Sequence, residues 1–267
     1  KQRITNYKIY DRELKKKNIN YLDFDSWMLS LKGKTKYRLY SNTGVHWGEY
    51  ACYLAADSIT KYFENLYSIN LTHIKINSVS VSKTMYGTDD DLEKLMNIYT
   101  NIDDEPMPHI NFKVVDSVNK DKLKVLVIGD SYYNGLSALG LDRYVFNDSE
   151  FWYYYKTVHK NTNFKGYVSD YDNIKKEIEK YKVVMILMTE GTLDITPKQV
   201  FENLYCQYSK AHPNIEYENK INKYIRLIKA NKEWFDSVKK KAKDNNVSIE
   251  KAVYNDAVYM VEQEKKK

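Results

Sequence analysis

At 267 residues, with 43% hydrophobic and 29% charged content, the chain is sized for one α/β domain or one domain with an appendage. Nine Gly and four Pro leave no room for a long flexible linker, and no apolar run approaches the ~18 residues that cross a bilayer, which predicts a soluble piece. The net charge of +6 is spread along the chain, densest at Lys239-Lys240-Lys241 and Lys265-Lys266-Lys267. Without basic groups gathered among stacking aromatics it argues for solvated helix faces and against a nucleic-acid groove.

Two cysteines, Cys52 and Cys206, fit neither a zinc site nor a disulfide scaffold; one bridge or two buried thiols are both open. Tyrosine reaches 26 residues alongside abundant Lys and Asn, which points to genome composition, with stacking on sugar faces as the alternative. The first residue is Lys1 rather than Met, which leaves room for a leader or anchor ahead of it.

Up to Tyr40 the chain reads as helix and loop, with Leu22, Phe24, Trp27, Met28 and Leu31 as an apolar stripe. Ala51, Leu54, Ala55, Ile59 and Phe63 recur at three- and four-residue steps, which predicts an amphipathic helix over 49–67. Residues 74–81 alternate as a strand, 91–98 read as a short helix with Leu92, Leu95 and Met96 inward, and 112–118 read as a second strand. Lys124-Val125-Leu126-Val127-Ile128 is a short branched run of the kind found in buried parallel strands, and it ends at Gly129-Asp130-Ser131. A helix around 174–181 precedes another such run, 183–188, ending at Thr189-Glu190-Gly191. Strand, helix, strand in this rhythm predicts a parallel sheet covered by helices. Beyond His212-Pro213 the pattern turns wholly helical, with Ile221, Ile225 and Ile228, then Trp234, Val238 and Ala242, then a last helix capped by Ser248 and running through Met260. The domain reading is a core over 1–212 and a helical C-terminal extension over 213–267 packed on it.

In an open α/β sheet, ligands sit outside the carboxyl ends of the strands, which is where Ser131 falls. A helix starting at Tyr132 would aim its first amides and the positive end of its dipole at Ser131, as an oxyanion site requires. A serine hydroxyl is a poor nucleophile without a base within hydrogen-bond reach. Of the five histidines, His46 stands out, in a loop Thr43-Gly44-Val45-His46-Trp47-Gly48 that delivers it to the mouth of a helix. His73, His109, His159 and His212 have no recognisable partner. Trp47 either closes the core beneath this loop or forms a wall for a sugar ring. Gly129-Asp130-Ser131 also has a plain reading, a strand-to-helix turn in which Asp130 bonds backbone amides. The G-x-S-x-G elbow, the dinucleotide glycines, H-E-x-x-H and the phosphate-cradling G-x-x-x-x-G-K are absent.

The ordered set Tyr40…Thr43-Gly44-Val45-His46-Trp47, Asp91-Leu92…Leu95, Val125 to Tyr132 and Thr189-Glu190-Gly191 resembles the SGNH-hydrolase-like domain of the alginate and exopolysaccharide O-acetyltransferase family. Ile225…Ile228-Lys229-Ala230-Asn231-Lys232-Glu233-Trp234 is similar to tails in that group. The resemblance implies an α/β, SGNH-hydrolase-like three-layer sandwich with a mostly parallel central sheet and a helical tail. His46 precedes Ser131 by 85 residues, the permuted order of the acetyltransferases. The resemblance also implies an acetyl-enzyme at Ser131, with His46 deprotonating a sugar hydroxyl. It implies a polysaccharide acceptor, a membrane-bound O-acyltransferase or other acetyl donor, an extracellular or cell-surface location, and neither metal nor cofactor.

The family's aspartate two residues before the histidine is replaced here by Gly44. Such a carboxylate holds the imidazole tautomer, so either another acid takes its place or the site is a dyad. Glu190 is the first candidate and Asp194 a weaker one; Asp130, Tyr132 and Trp47 are candidates for the third member or for oxyanion or substrate contacts. A carbohydrate acetylesterase with the same residues, and a non-catalytic glycan-binding scaffold, are the competing functions.

Overall fold

The computed structural model describes residues 4–97, 99, 100, 102, 105–115, 120–194, 200–202, 204, 205, 208 and 214–264. The chain forms two compact units, Lys1–Lys165 with Tyr181–Pro197, and Gly166–Lys180 with Lys198–Lys267. The second unit therefore takes more than the terminal helices, since it also holds the segment from Gly166 to Lys180. Cys206 and His212 lie outside the described residues.

The first unit opens with α1 (Asn6–Lys16) and α2 (Phe24–Leu31), the latter capped by Asp23, which accepts from the Ser26 amide at 3.0 Å. Helix α3 (Glu49–Tyr67) buries Ala51, Ala55, Ile59 and Phe63, the stripe its spacing predicts. A two-stranded antiparallel sheet pairs β1 (His73–Ser82) with β2 (Met107–Val115), and between them lies α4 (Asp91–Met96). Then come β3 (Val125–Gly129), α5 (Tyr133–Ala138), a π-helix over Leu141–Val145, β4 (Glu150–Tyr153), β5 (Thr157–Lys160) and β6 (Asn163–Tyr167). After α6 (Ile174–Ile178) of the second unit, β7 (Val183–Leu187) completes a five-stranded sheet in the order β6-β5-β4-β3-β7.

Val125, Leu126, Val127 and Ile128 of β3 are fully buried, as a strand flanked by parallel neighbours requires. β3 pairs parallel with β4 and with β7, but β4 pairs antiparallel with β5, so the sheet is mixed rather than mostly parallel. The sequence reading missed β4, β5 and β6 altogether. Their short runs are broken by Tyr154, Tyr155, Asn161 and Thr162 at positive φ, turn positions that glycine usually marks and here does not. Gly129, by contrast, is required: a Cβ there would stand 2.8 Å from the Leu187 carbonyl oxygen of the neighbouring strand.

Helix α4 also departs from expectation. Leu92, Leu95 and Met96 are exposed, not inward. A six-residue helix buries too little to choose its own face. Its orientation follows polar ties instead, among them the Leu92 amide donating to the Thr43 carbonyl at 3.0 Å.

In the second unit, α7 (Asn214–Ala230), α8 (Lys232–Asp244) and α9 (Ile249–Glu264) share a core of Ile221, Ile228, Val238, Val253, Ala257 and Val261. Asn231 caps α8 through the Trp234 amide at 3.0 Å, and Ser248 caps α9 through the Lys251 amide at 3.2 Å. No helix among the described residues is long and apolar enough to cross a membrane.

Asp142, in the π-helix, is only 7% exposed; it accepts from the Ser137 hydroxyl at 2.7 Å through Oδ2 while Oδ1 has no partner among the described residues. Burial raises its pKa above the ordinary 3.8, against the Ser137 bond, which lowers it. The folded state thus holds the proton more tightly than the unfolded chain, so ionisation costs stability as pH rises from 3.8 through the folded value. Asp142→Asn is expected to raise the thermal midpoint at pH 7, with the gain shrinking below pH 3.8. Equal midpoints at pH 7 would refute this.

Candidate active site

The site is assembled from three loops of the first unit. Ser131 follows β3 directly, at the carboxyl edge of the sheet, and His46 lies in the loop ahead of α3. Asp91 opens α4. His46 Nδ1 lies 2.6 Å from Asp91 Oδ2, and its Nε2 lies 2.7 Å from Ser131 Oγ. An ionised Asp91 can only accept, so Nδ1 carries the proton and donates to it, leaving Nε2 to accept from the Ser131 hydroxyl. The other Asp91 oxygen, Oδ1, accepts from the Val45 amide at 2.8 Å, so one carboxylate fixes both the histidine ring and its backbone. The His46 and Asp91 side chains keep 18% and 23% exposure, so the pair opens to solvent.

Ser131 and His46 are brought together as the sequence predicts. The third member is not. Glu190 was the first expectation, but His46 Nδ1 is occupied by Asp91, while Glu190 is exposed in a short 3₁₀ turn over Glu190–Thr192 and Asp194 is exposed just beyond it. Asp91 belongs to one of the motif blocks of the resemblance, but as one acid of the run Asp89-Asp90-Asp91 it is not singled out there as the third member; it stands 45 residues beyond His46.

Gly44 leaves no room for a side chain at its own position. A Cβ at residue 44 would lie 2.6 Å from Ser41 Oγ, 2.7 Å from the Thr88 carbonyl oxygen and 2.9 Å from that of Asp89. The backbone leading to Asp91 therefore fills the space an aspartate at 44 would need. Gly44→Asp is expected to lower stability by about 1–3 kcal/mol, as overpacking does, and to leave an Asp91→Ala protein unrescued. Restored turnover in the double variant would contradict this packing.

The hydrogen bonds of Asp130 go to the neighbouring turns rather than to His46. The residue is 1% exposed, and Oδ2 accepts from the Thr189 amide (2.7 Å), the Thr189 hydroxyl (2.8 Å) and the Thr192 hydroxyl (2.7 Å), while Oδ1 accepts from the Tyr132 amide (3.0 Å). It straps the turn after β7 to the turn that carries Ser131. Tyr132 braces the histidine loop: its hydroxyl donates to the Val45 carbonyl, its own carbonyl accepts from Trp47 Nε1 at 3.1 Å, and its ring centroid is 5.1 Å from that of His46. Trp47 is 6% exposed and packs in the core beneath the loop.

The expected row of free amides at the helix start is also corrected. The Tyr132 amide bonds Asp130 Oδ1, that of Tyr133 bonds the Asp130 carbonyl at 3.2 Å, and α5 has six residues, too short for a strong dipole. Tyr40, next to Tyr132, has its pKa pushed up to about 12 by burial. Burial likewise pushes the Cys52 thiol up, which makes it an inert core group. Among the described residues no group of three or more His, Cys, Asp or Glu is placed to hold a metal ion.

No family model matches the chain, and no curated protein matches it. Among solved structures it is similar to the O-acetyltransferase domain of Pseudomonas putida AlgJ, at 13% identity and a TM-score of 0.41. The match covers 71% of this chain and 66% of that one, just under two thirds of the AlgJ domain.

Proposed function

We propose that the chain is a serine-dependent acyltransferase of SGNH type that moves acetyl groups onto hydroxyls of an extracellular or cell-surface polysaccharide. The observation that carries the reading is the unbroken hydrogen-bonded run from Asp91 through His46 to Ser131, at 2.6 and 2.7 Å, at the carboxyl edge of β3. In the first half-reaction, Ser131 Oγ bonds to the acetyl carbon as its proton passes to His46 Nε2. Asp91 stabilises the imidazolium that forms. The Ser131 backbone amide is the donor proposed for the tetrahedral oxyanion. The bond to the leaving group then breaks, and His46 returns the proton to it.

In the second half-reaction, a sugar hydroxyl gives its proton to Nε2 while its oxygen bonds the acetyl carbon; the new ester departs and Ser131 Oγ recovers the proton. Acetyl as the group and polysaccharide as the acceptor rest on the ordered motif resemblance, as do a membrane-bound O-acyltransferase donor and the extracellular location.

The test is turnover of p-nitrophenyl acetate with and without acceptor oligosaccharides. Acetylated acceptor that disappears in Ser131→Ala supports transfer. Acetate release indifferent to acceptor makes the protein an acetylesterase, and glycan binding without turnover makes it a scaffold.

A further inference from the structure

The second unit holds a pocket of about 140 Å³ lined by residues of that unit alone. One wall is α7, which presents Asn219, Lys220, Lys223 and Tyr224 on one face, as their helical spacing requires. The other wall lies between Ser169 and Ile174, and Glu264, the last residue of α9, completes the lining. These walls are pinned. The Arg226 guanidinium donates to Asp170 Oδ1 at 2.7 Å and lies 4.3 Å from the Tyr167 ring centroid, which ties the turn beside the pocket to α7. The Tyr224 hydroxyl donates to Glu264 Oε1 at 2.5 Å, which joins α7 to α9.

Three groups in the lining lack partners. Ser169 Oγ is buried and makes no hydrogen bond, which costs stability until a partner is supplied. Lys220 and Lys223, both half-buried, have neither an ion pair nor a hydrogen bond among the described residues. Asp172 and Glu264 line the same pocket, yet no ion pair closes across it.

Two ammoniums and two carboxylates around one space select against a simple ion of either sign, since each meets like charge as well as opposite. A hydroxyl suits both, donating to a carboxylate and accepting from an ammonium. Tyr171 and Tyr224 add rings with apolar bodies and polar tips, against which the C–H face of a pyranose packs. The volume takes several waters, the room that one sugar ring displaces.

We infer that this pocket binds one neutral sugar residue of a glycan, with Lys220, Lys223 and Ser169 donating to its oxygens and Asp172 accepting from its hydroxyls. The inference goes beyond the acyl-transfer reading and does not rest on it, because no residue of the Ser131 site lines the pocket.

Amide spectra of isotope-labelled protein test it, with methyl glucoside and methyl N-acetylglucosaminide titrated to about 50 mM, since a single ring in a small polar pocket binds in the millimolar range. At least one of the two is expected to shift the Ser169, Asn219, Lys220 and Lys223 amides saturably, and inorganic phosphate to shift none of them. Lys220→Met/Lys223→Met is expected to weaken binding at least ~10-fold through loss of two charged donors, with acetate release from p-nitrophenyl acetate unchanged. Asp172→Ala, at an exposed position, is expected to keep the fold and weaken binding about fivefold. Ser131→Ala is expected to bind sugar as the native protein does. No saturable shift at these amides with either sugar, shifts that survive both pocket variants, or a preference for phosphate overturns the inference and leaves acyl transfer standing. Sugar binding here in a protein that forms no acetyl-enzyme overturns acyl transfer and leaves this site.

Discussion

Asp91→Asn is expected to lower kcat by about 10⁴ with the fold intact, because the substitution sets the wrong histidine tautomer. The Val45 amide donates to Asp91 Oδ1, so an asparagine would place its oxygen there and turn its NH₂ toward His46 Nδ1. Nδ1 would then accept and Nε2 would carry the proton, leaving no acceptor for the Ser131 hydroxyl. Asp91→Ala frees the ring and removes the partner of the imidazolium, so a loss of similar size is expected. Glu190→Gln provides the contrast: its carboxylate is not on the imidazole, and acetate release from p-nitrophenyl acetate should remain within tenfold of the native rate. An Asp91→Asn protein that retains a tenth of native kcat, or a Glu190 variant that loses more than Asp91→Asn, would dismiss Asp91 as the orienting acid.

Ser131→Ala is expected to abolish turnover, with a loss on the order of 10⁶ in kcat, comparable to removing the nucleophile from a triad in other serine enzymes. Mass spectrometry after exposure to p-nitrophenyl acetate should find acetyl on the native protein and none on the variant. The hydroxyl of Ser131 bonds only His46 among the described residues, so its removal leaves no buried group orphaned and the thermal midpoint should change little. Acetate release that persists at the native rate in this variant would remove the enzyme reading.

The placement of both Ser131 and His46 could be read from local sequence because each sits where chain-local rules are strong. Val125 to Ile128 have nowhere to go but a buried strand, and Gly129 must be glycine because β7 approaches so closely; the residues after such a strand fall at the sheet's ligand edge. The α3 stripe fixes where the helix begins, hence that His46 sits at its mouth. The terminal helices were equally plain, from their periodicity and from Asn231 and Ser248 as caps. Segments with weak local rules were misread. The β4–β6 region turns through non-glycine residues at positive φ, and α4 is held by hydrogen bonds rather than by its apolar side chains.

What the sequence determined by itself was a serine at the end of a buried strand and a histidine at the start of an amphipathic helix, since period and burial are properties of contiguous residues. Only the tertiary structure decided which carboxylate completes the site and where the remaining acids go. Asp91 reaches His46 across 45 residues because the 88–89 backbone lies against Gly44, and Asp130 is turned to hold Thr189 and Thr192. Hydrogen bonds act over about 3 Å of space whatever the separation along the chain, so partners that meet only after folding leave no periodic trace.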